Sequence, residues 1–287
     1  MQLDIFDHSR DVILRNAATD ALRTRDTAAT TLAIAKLASE YANDPLLPAL
    51  DTLNQRLMLP VAASLDRESA RAILRQTEDA VAAARLVFGS KAEAWLSPLW
   101  CEIASAIANL PFDPADESLH GAPLLLRAGQ WAQASAQVER IPAWRRQPAP
   151  LSWKVEAECG TAGLDATWPL LVELAWLAPR RAAALAPRLA NPNLTPLVRR
   201  FDADFEGEGA AEDFAWFPAW ALITAPHLAT AMRLAHRGAD TPPERGAWQL
   251  LGLLSLEHQG RQTDLIEGRK KLRALHPHLF DLYMRSR

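Results

Sequence analysis

His276 and His278 stand on either side of Pro277 and are the one close pair of metal-capable nitrogens in this 287-residue chain. A metal ion held there would need a third ligand from a distant part of the sequence. Glu257 and His258 are adjacent, so on a helix their side chains leave in different directions and cannot share a proton or an ion. The chain has no glycine-rich phosphate loop, no His-Glu-x-x-His pair, no Cys-x-x-Cys and no Gly-x-Ser-x-Gly elbow. The expectation is therefore no catalytic residue set, no metal and no cofactor. Cys101 and Cys159 lie on separate segments, cannot build a disulfide framework and read as buried, reduced thiols.

Ten tryptophans are the unusual feature. Alanine-rich helices approach closely and leave gaps that large indoles fill, so most are expected in the interior. Trp144 and Trp153 are the exceptions. The segment 141–150 reads Ile-Pro-Ala-Trp-Arg-Arg-Gln-Pro-Ala-Pro, a proline-stiffened connector carrying an aromatic ring and two cations. Tryptophan and arginine are favoured interface anchors, and guanidinium groups pair with carboxylates. Trp144, Arg145, Arg146 and Trp153 are thus the candidate partner-binding residues, suited to an acidic or carboxylate-bearing peptide. Charge is uneven elsewhere too. Residues 201–232 contain no Lys or Arg but carry Asp202, Asp204, Glu206, Glu208, Glu212 and Asp213 around Gly207 and Gly209. Residues 261–287 hold seven cations (Arg261, Arg269, Lys270, Lys271, Arg273, Arg285, Arg287) against three acids, a second face that an acidic partner can meet.

The elements that must carry these residues are helical. Leu14, Ala17, Ala18, Ala21 and Leu22 follow a one-faced helical stripe, and after Asp26, a suitable N-cap, Ile34, Leu37, Ala38 and Tyr41 repeat it, giving a helical hairpin with a very short turn. A third helix spans 48–59. A fourth starts near Asp66, with Ala70, Ile73, Leu74, Thr77, Val81, Ala84 and Phe88 on one face and Gly89 as its stop. A fifth covers 91–110 with a kink at Ser97-Pro98. From about Glu117 the helices shorten and are punctuated by Gly and Pro. Around Trp248 the residues Leu250, Leu251, Leu253, Leu254 and Leu256 surround their helix, so neighbours must cover it on more than one side, whereas 264–275 is amphipathic and can lie outside.

Composition agrees. There are 54 Ala and 44 Leu against 8 Val and 9 Ile, which favours an all-α fold. A formal net charge of −3 argues against a dedicated nucleic-acid binder. No apolar run approaches the roughly 20 residues that span a bilayer. Residues 1–11 lack a basic start, an apolar run and a cleavage site, so a cytoplasmic protein is expected. The 26 Arg to 5 Lys ratio suggests a GC-rich bacterial genome.

Leu124 to Trp131, continuing into Ala134, Val138, Ile141 and Pro142, places Gly129-Gln130-Trp131 at a turn, and Gly163 follows 34 residues later with Trp168, Val172 and Ala175 at matching offsets. Gly260 lies 17 residues before Pro277, with Gln262 at the offset that Trp131 takes from Gly129, and Asp26 to Pro45 is a looser match. These segments resemble the tetratricopeptide family of helical repeats. The resemblance implies stacked antiparallel hairpins in a tetratricopeptide-like α-solenoid, with N-terminal hairpins over 1–110 and continuing repeats over 111–287, and Trp131 as a hairpin anchor. It also implies an extended binding surface. The function expected is a non-catalytic adaptor or scaffold for a protein or peptide partner; the alternative is an enzyme or small-ligand binder whose pocket is assembled from distant helices.

Overall fold

The structure is a computed structural model that describes residues 9–238, 240–259 and 262–287, without the side chain of His258. The expected cytoplasmic N-terminus over its first eight residues, the Glu257-His258 pair, and the expected roles of Gly260 and Arg261 thus lie wholly or partly outside the described residues. The protein is all-α, with no strand among the described residues. No helix among them is long and apolar enough to cross a membrane. The chain divides into two compact units after Gln130.

In the first unit, α1 (Arg10–Thr24), α2 (Thr27–Glu40), α3 (Leu47–Met58), α4 (Arg67–Phe88), α5 (Ala92–Ala106) and α6 (Gly121–Arg127) each pack on the next in chain order. The α1–α2 hairpin forms as the pattern predicts. Arg25 turns the chain with φ of 59°, and the Asp26 carboxylate caps α2 by accepting from Ala29 N at 2.9 Å. Leu14, Ala18 and Leu22 face Ile34 and Leu37 across the pair, and Arg10 of the first turn meets Glu40 of the last at 2.8 Å, as antiparallel helices require. Asp66 caps α4 through Ser69 N at 2.8 Å, and Gly89 ends it at φ of 55°. The buried face of α4 ends in Ala80, Ala83 and Ala84, leaving Val81 and Phe88 half-buried at its edge.

α5 runs unbroken through Pro98 and ends at Ala106, short of the predicted 110. Segment 111–130 packs within the first unit: Arg67 reaches Asp113, Arg71 reaches Asp116, Arg127 reaches Glu78, and Ser97 Oγ donates to Ala128 O. Gly129, at φ of 72°, closes α6: Gln130 N donates to Leu125 O and Gly129 N to Leu126 O, the double bond of a glycine C-cap.

The second unit contains α7 (Trp131–Glu139), α8 (Pro148–Leu177), α9 (Pro179–Leu185), α10 (Leu194–Asp204), α11 (Phe217–Thr224), α12 (Leu228–Met232), α13 (Pro242–Gln259), α14 (Gln262–Leu275) and α15 (Pro277–Arg285). α8 is two helices joined at Gly163, whose φ of 78° breaks the helix at the second predicted turn glycine. α7 lies antiparallel to its first half, with Trp131 over Gly160 and Ser135 bonded to Glu158 at 3.0 Å. The second half is nearly encased: residues 167–176 are all buried, and α9, α11 and α12 all pack on α8. Trp168, Phe201, Phe217 and Trp220 form the aromatic centre, with Phe201 5.4 Å from Phe217 and 5.5 Å from Trp220. α13 is covered on several sides by α11 and α14, as its leucines demand, while α14 buries only Leu265, Gly268 and Leu272 along one stripe.

Candidate functional site

The connector that carries Arg145 and Arg146 is held in place before any partner arrives. Ala143 adopts φ of 51°, Trp144–Arg146 form a 3-10 turn, and the Gln147 side-chain amide donates back to Pro142 O at 2.8 Å. Trp144 is half-buried against the core of the second unit, with the Arg145 guanidinium 4.9 Å and the Lys154 ammonium 5.7 Å from its ring centroid. Trp153 is buried on α8, at 8% exposure. Lys154 is spent on Ser135, Glu139 and Glu158.

Arg145 and Arg146 diverge. Arg145 turns inward, its Nη1 donating to both oxygens of Glu173 at 2.7 and 2.9 Å. Arg146 is exposed and has no carboxylate partner among the described residues. Glu173, on the encased half of α8 with only 6% of its side chain exposed, also accepts from His236 N at 2.9 Å. It therefore ties the connector to a second turn 63 residues further along. That turn has a matching tie from the other side. Glu244, in the first turn of α13 and 2% exposed, accepts from Gly238 N at 2.7 Å and Asp240 N at 2.9 Å.

Between connector and turn lies a cavity of about 610 Å³ lined by Arg145, Arg146, Glu173, Trp176, Leu177, His236, Arg237 and Gly238. Three guanidinium groups face one carboxylate in it, and that carboxylate is already engaged. Arg237 is exposed, lies 4.8 Å over the ring of Trp248 and has no carboxylate partner among the described residues. Trp248 in turn sits 6.2 Å from Trp176, and the indole N–H of each is buried without a hydrogen bond. Apolar Trp176 and Leu177 thus line the cavity beside two cations that have no carboxylate partner among the described residues. A second cavity of about 630 Å³ shares Arg237 and Gly238 and is lined also by Trp248, Arg245 and Lys271; Arg245 is paired with Asp240 at 3.3 Å.

The other candidate groups are differently placed. At the C-terminal face, Arg269 and Arg287 both approach Glu257, at 3.8 and 3.3 Å, and Lys270 pairs with Glu267 at 2.8 Å, whereas Lys271, Arg273 and Arg285 are exposed without an ion pair among the described residues. His276 Nδ1 caps α15 by accepting from Leu279 N at 3.1 Å, its ring 4.5 Å from Trp216, and burial pushes its pKa down. Among the described residues no three His, Cys, Asp or Glu side chains gather as a metal-ligand set. Burial pushes the Cys159 thiol up, away from the reactive thiolate. The residues missed by sequence reasoning are Glu173, Trp176, His236, Arg237 and Gly238. The only linear trace is that the Lys/Arg-free stretch ends at Arg233, shortly before His236, Arg237 and Gly238; Glu173 and Trp176 have none.

The fold and cavity define an all-helical protein with a cationic, aromatic-lined recess in its second unit. No protein-family model, no curated protein and no solved structure matches the chain.

Proposed function

We propose that the protein is a non-catalytic adaptor of tetratricopeptide-like helical hairpins that works in the cytoplasm and holds an acidic segment of a protein partner in the cavity between Arg146 and Arg237. The observation that carries this reading is the pair of exposed guanidinium groups with no carboxylate of their own, set beside an apolar lining. A carboxylate of the partner pairs with the cations while a neighbouring apolar side chain covers Trp176 and Leu177, so water leaves both kinds of surface at once. The recess is preorganised by the ties to Glu173 and Glu244, which lowers the ordering cost of binding. In-sequence packing of α1 to α6 and the positive-φ glycines 129 and 163, 34 residues apart, support the hairpin-repeat description. Arg145, paired internally, orients the connector rather than contacting the partner.

A fluorescein-labelled peptide of alternating Glu and Leu is the direct probe. Anisotropy should report binding that weakens with added salt, and Arg146→Gln/Arg237→Gln should weaken it at least tenfold while leaving thermal stability unchanged. Equal binding by the double variant across salt concentrations would refute the assignment. The cavity also falls in the size range of small-molecule sites, which favours a second reading as a small-anion binder. Native mass spectrometry of freshly purified protein distinguishes it by a bound metabolite that Arg146→Gln/Arg237→Gln releases.

A further inference from the structure

The chain itself contains a segment with the charge this cavity selects. Between α10 and α11 the connector at Glu206, Gly207, Glu208 and Gly209 is exposed, and no cation lies among residues 201–232 to neutralise it locally. Its two ends are anchored. On one side Phe205 stacks on Phe201 at 4.7 Å and packs against His276 and His278. On the other, the Asp213 carboxylate accepts from Gly209 N at 2.7 Å and Ala210 N at 3.2 Å, with Gly209 at φ of 75°. Glu208 makes no ion pair among the described residues, and Glu206 meets only His278, at 3.6 Å. The segment is thus an anchored acidic projection rather than a solvated tail, and little entropy is lost when it docks. None of its residues lines either cationic cavity of the same molecule.

We propose that a second copy of this chain is a partner, its Glu206–Glu208 projection seated between Arg146 and Arg237; the proposal rests on reading that cavity as an acidic-segment site. Projection and cavity are different surfaces, so the contact is heterologous and propagates into rings or open chains instead of stopping at a symmetric pair. Built mainly from exposed charges, it is weak and sensitive to salt.

Sedimentation velocity over a concentration series tests it. The weight-average sedimentation coefficient should rise with concentration at low salt and fall to the monomer value at high salt. Arg146→Glu/Arg237→Glu and Glu206→Lys/Glu208→Lys should each stay monomeric, and mixing the two should restore association, because the reversed cavity now meets the reversed projection. Arg199→Glu/Arg285→Glu, with the same change in net charge, should associate like the wild type. If a reversal variant fails to fold, the Gln substitutions at the same positions take its place. A wild type that is monomeric at every concentration, reversal variants that still associate, a mixture that stays monomeric, or a control that loses association would each overturn the proposal. The Glu-Leu peptide separates the two levels: a monomeric chain that still binds it loses only the self-partner, whereas failure to bind it removes the cavity reading as well.

Discussion

Glu173 is the residue on which the recess depends. Its carboxylate accepts from Arg145 on one side and from His236 N on the other, and its side chain is nearly enclosed. Glu173→Ala removes both acceptors at once and leaves the His236 N–H without its partner, while Arg145 is exposed enough to find water. The expected loss is about 1.5 to 3 kcal/mol, the usual contribution of a hydrogen bond to a charged group. Urea denaturation should show that loss, and amide exchange should speed up at residues 236–238; an unchanged midpoint with unchanged exchange would mean that the tie carries no weight. None of this is visible in the linear sequence. Arg145 and Arg146 look equivalent there, and only the fold directs one inward to a carboxylate 28 residues away and the other outward. Trp153 is hard to place for a related reason: it follows Pro148 and Pro150, which suggest a loop, but both occupy the first turn of α8, where proline is well tolerated.

At the scale of elements, caps and stripes carry most of the information, because they are local. Asp26, Asp66, Gly89, Gly129 and Gly163 all act at helix ends or breaks in the places their residue types predict. Long-range covering is harder to read, and α13 shows why: its leucines announce that it must be covered, without naming α11 and α14 as the cover. The α7–α8 hairpin offers a test in which two effects have opposite sign. A Cβ at Gly160 would sit 2.7 Å from the Trp131 ring, an overlap expected to cost about 1 to 3 kcal/mol, whereas alanine gains roughly 1 kcal/mol over glycine inside a helix. Gly160→Ala should therefore destabilise the wild type. In a Trp131→Ala background, where the ring is gone, the same change should become neutral or stabilising. Trp131 is half-buried rather than enclosed, so Trp131→Ala alone should cost less than the roughly 3 to 5 kcal/mol of a fully buried indole. Identical effects of Gly160→Ala in both backgrounds would rule out the contact.

α6 supplies a pH dependence. The His120 ring accepts from Ala122 N at 3.1 Å to cap the helix, and burial holds its pKa at about 4, below the unfolded value of about 6.5. The unfolded chain binds the proton first as pH falls, so the contribution is complete above about pH 6.5 and is lost between there and about pH 4. The slope is at most about 1.4 kcal/mol per pH unit. His276, also pushed down by burial, adds a term of the same sign. His120→Asn keeps a capping acceptor that does not titrate. Stability measured from pH 7 to 4 should therefore fall less steeply in His120→Asn than in the wild type; equal slopes would show that the ring does not titrate between the folded and unfolded states.

At the scale of the molecule, a net charge of −3 conceals opposed local fields: acidic residues 202–213, a basic C-terminal segment and the Arg146–Arg237 recess. Composition indicates the helical class because 54 alanines and 44 leucines leave little else to build with. It does not indicate where free charge ends up, since that depends on which cations find carboxylates after folding. At the C-terminal face Arg269 and Arg287 find Glu257, whereas Arg146 and Arg237 find none among the described residues. Pairing lowers the linear excess of seven cations over three acids at that face, where Lys271, Arg273 and Arg285 stay exposed without an ion pair among the described residues, and the recess adds two cations that the sequence divides between two distant turns.

Amide hydrogen exchange of the full chain with and without saturating Glu-Leu peptide measures directly where the acidic segment binds. Binding in the recess should slow exchange at residues 144–147 and 236–238, with no change at 269–273 or 285–287, and Arg146→Gln/Arg237→Gln should abolish that protection. Protection confined to the C-terminal basic segment, or undiminished in the double variant, would contradict the assignment.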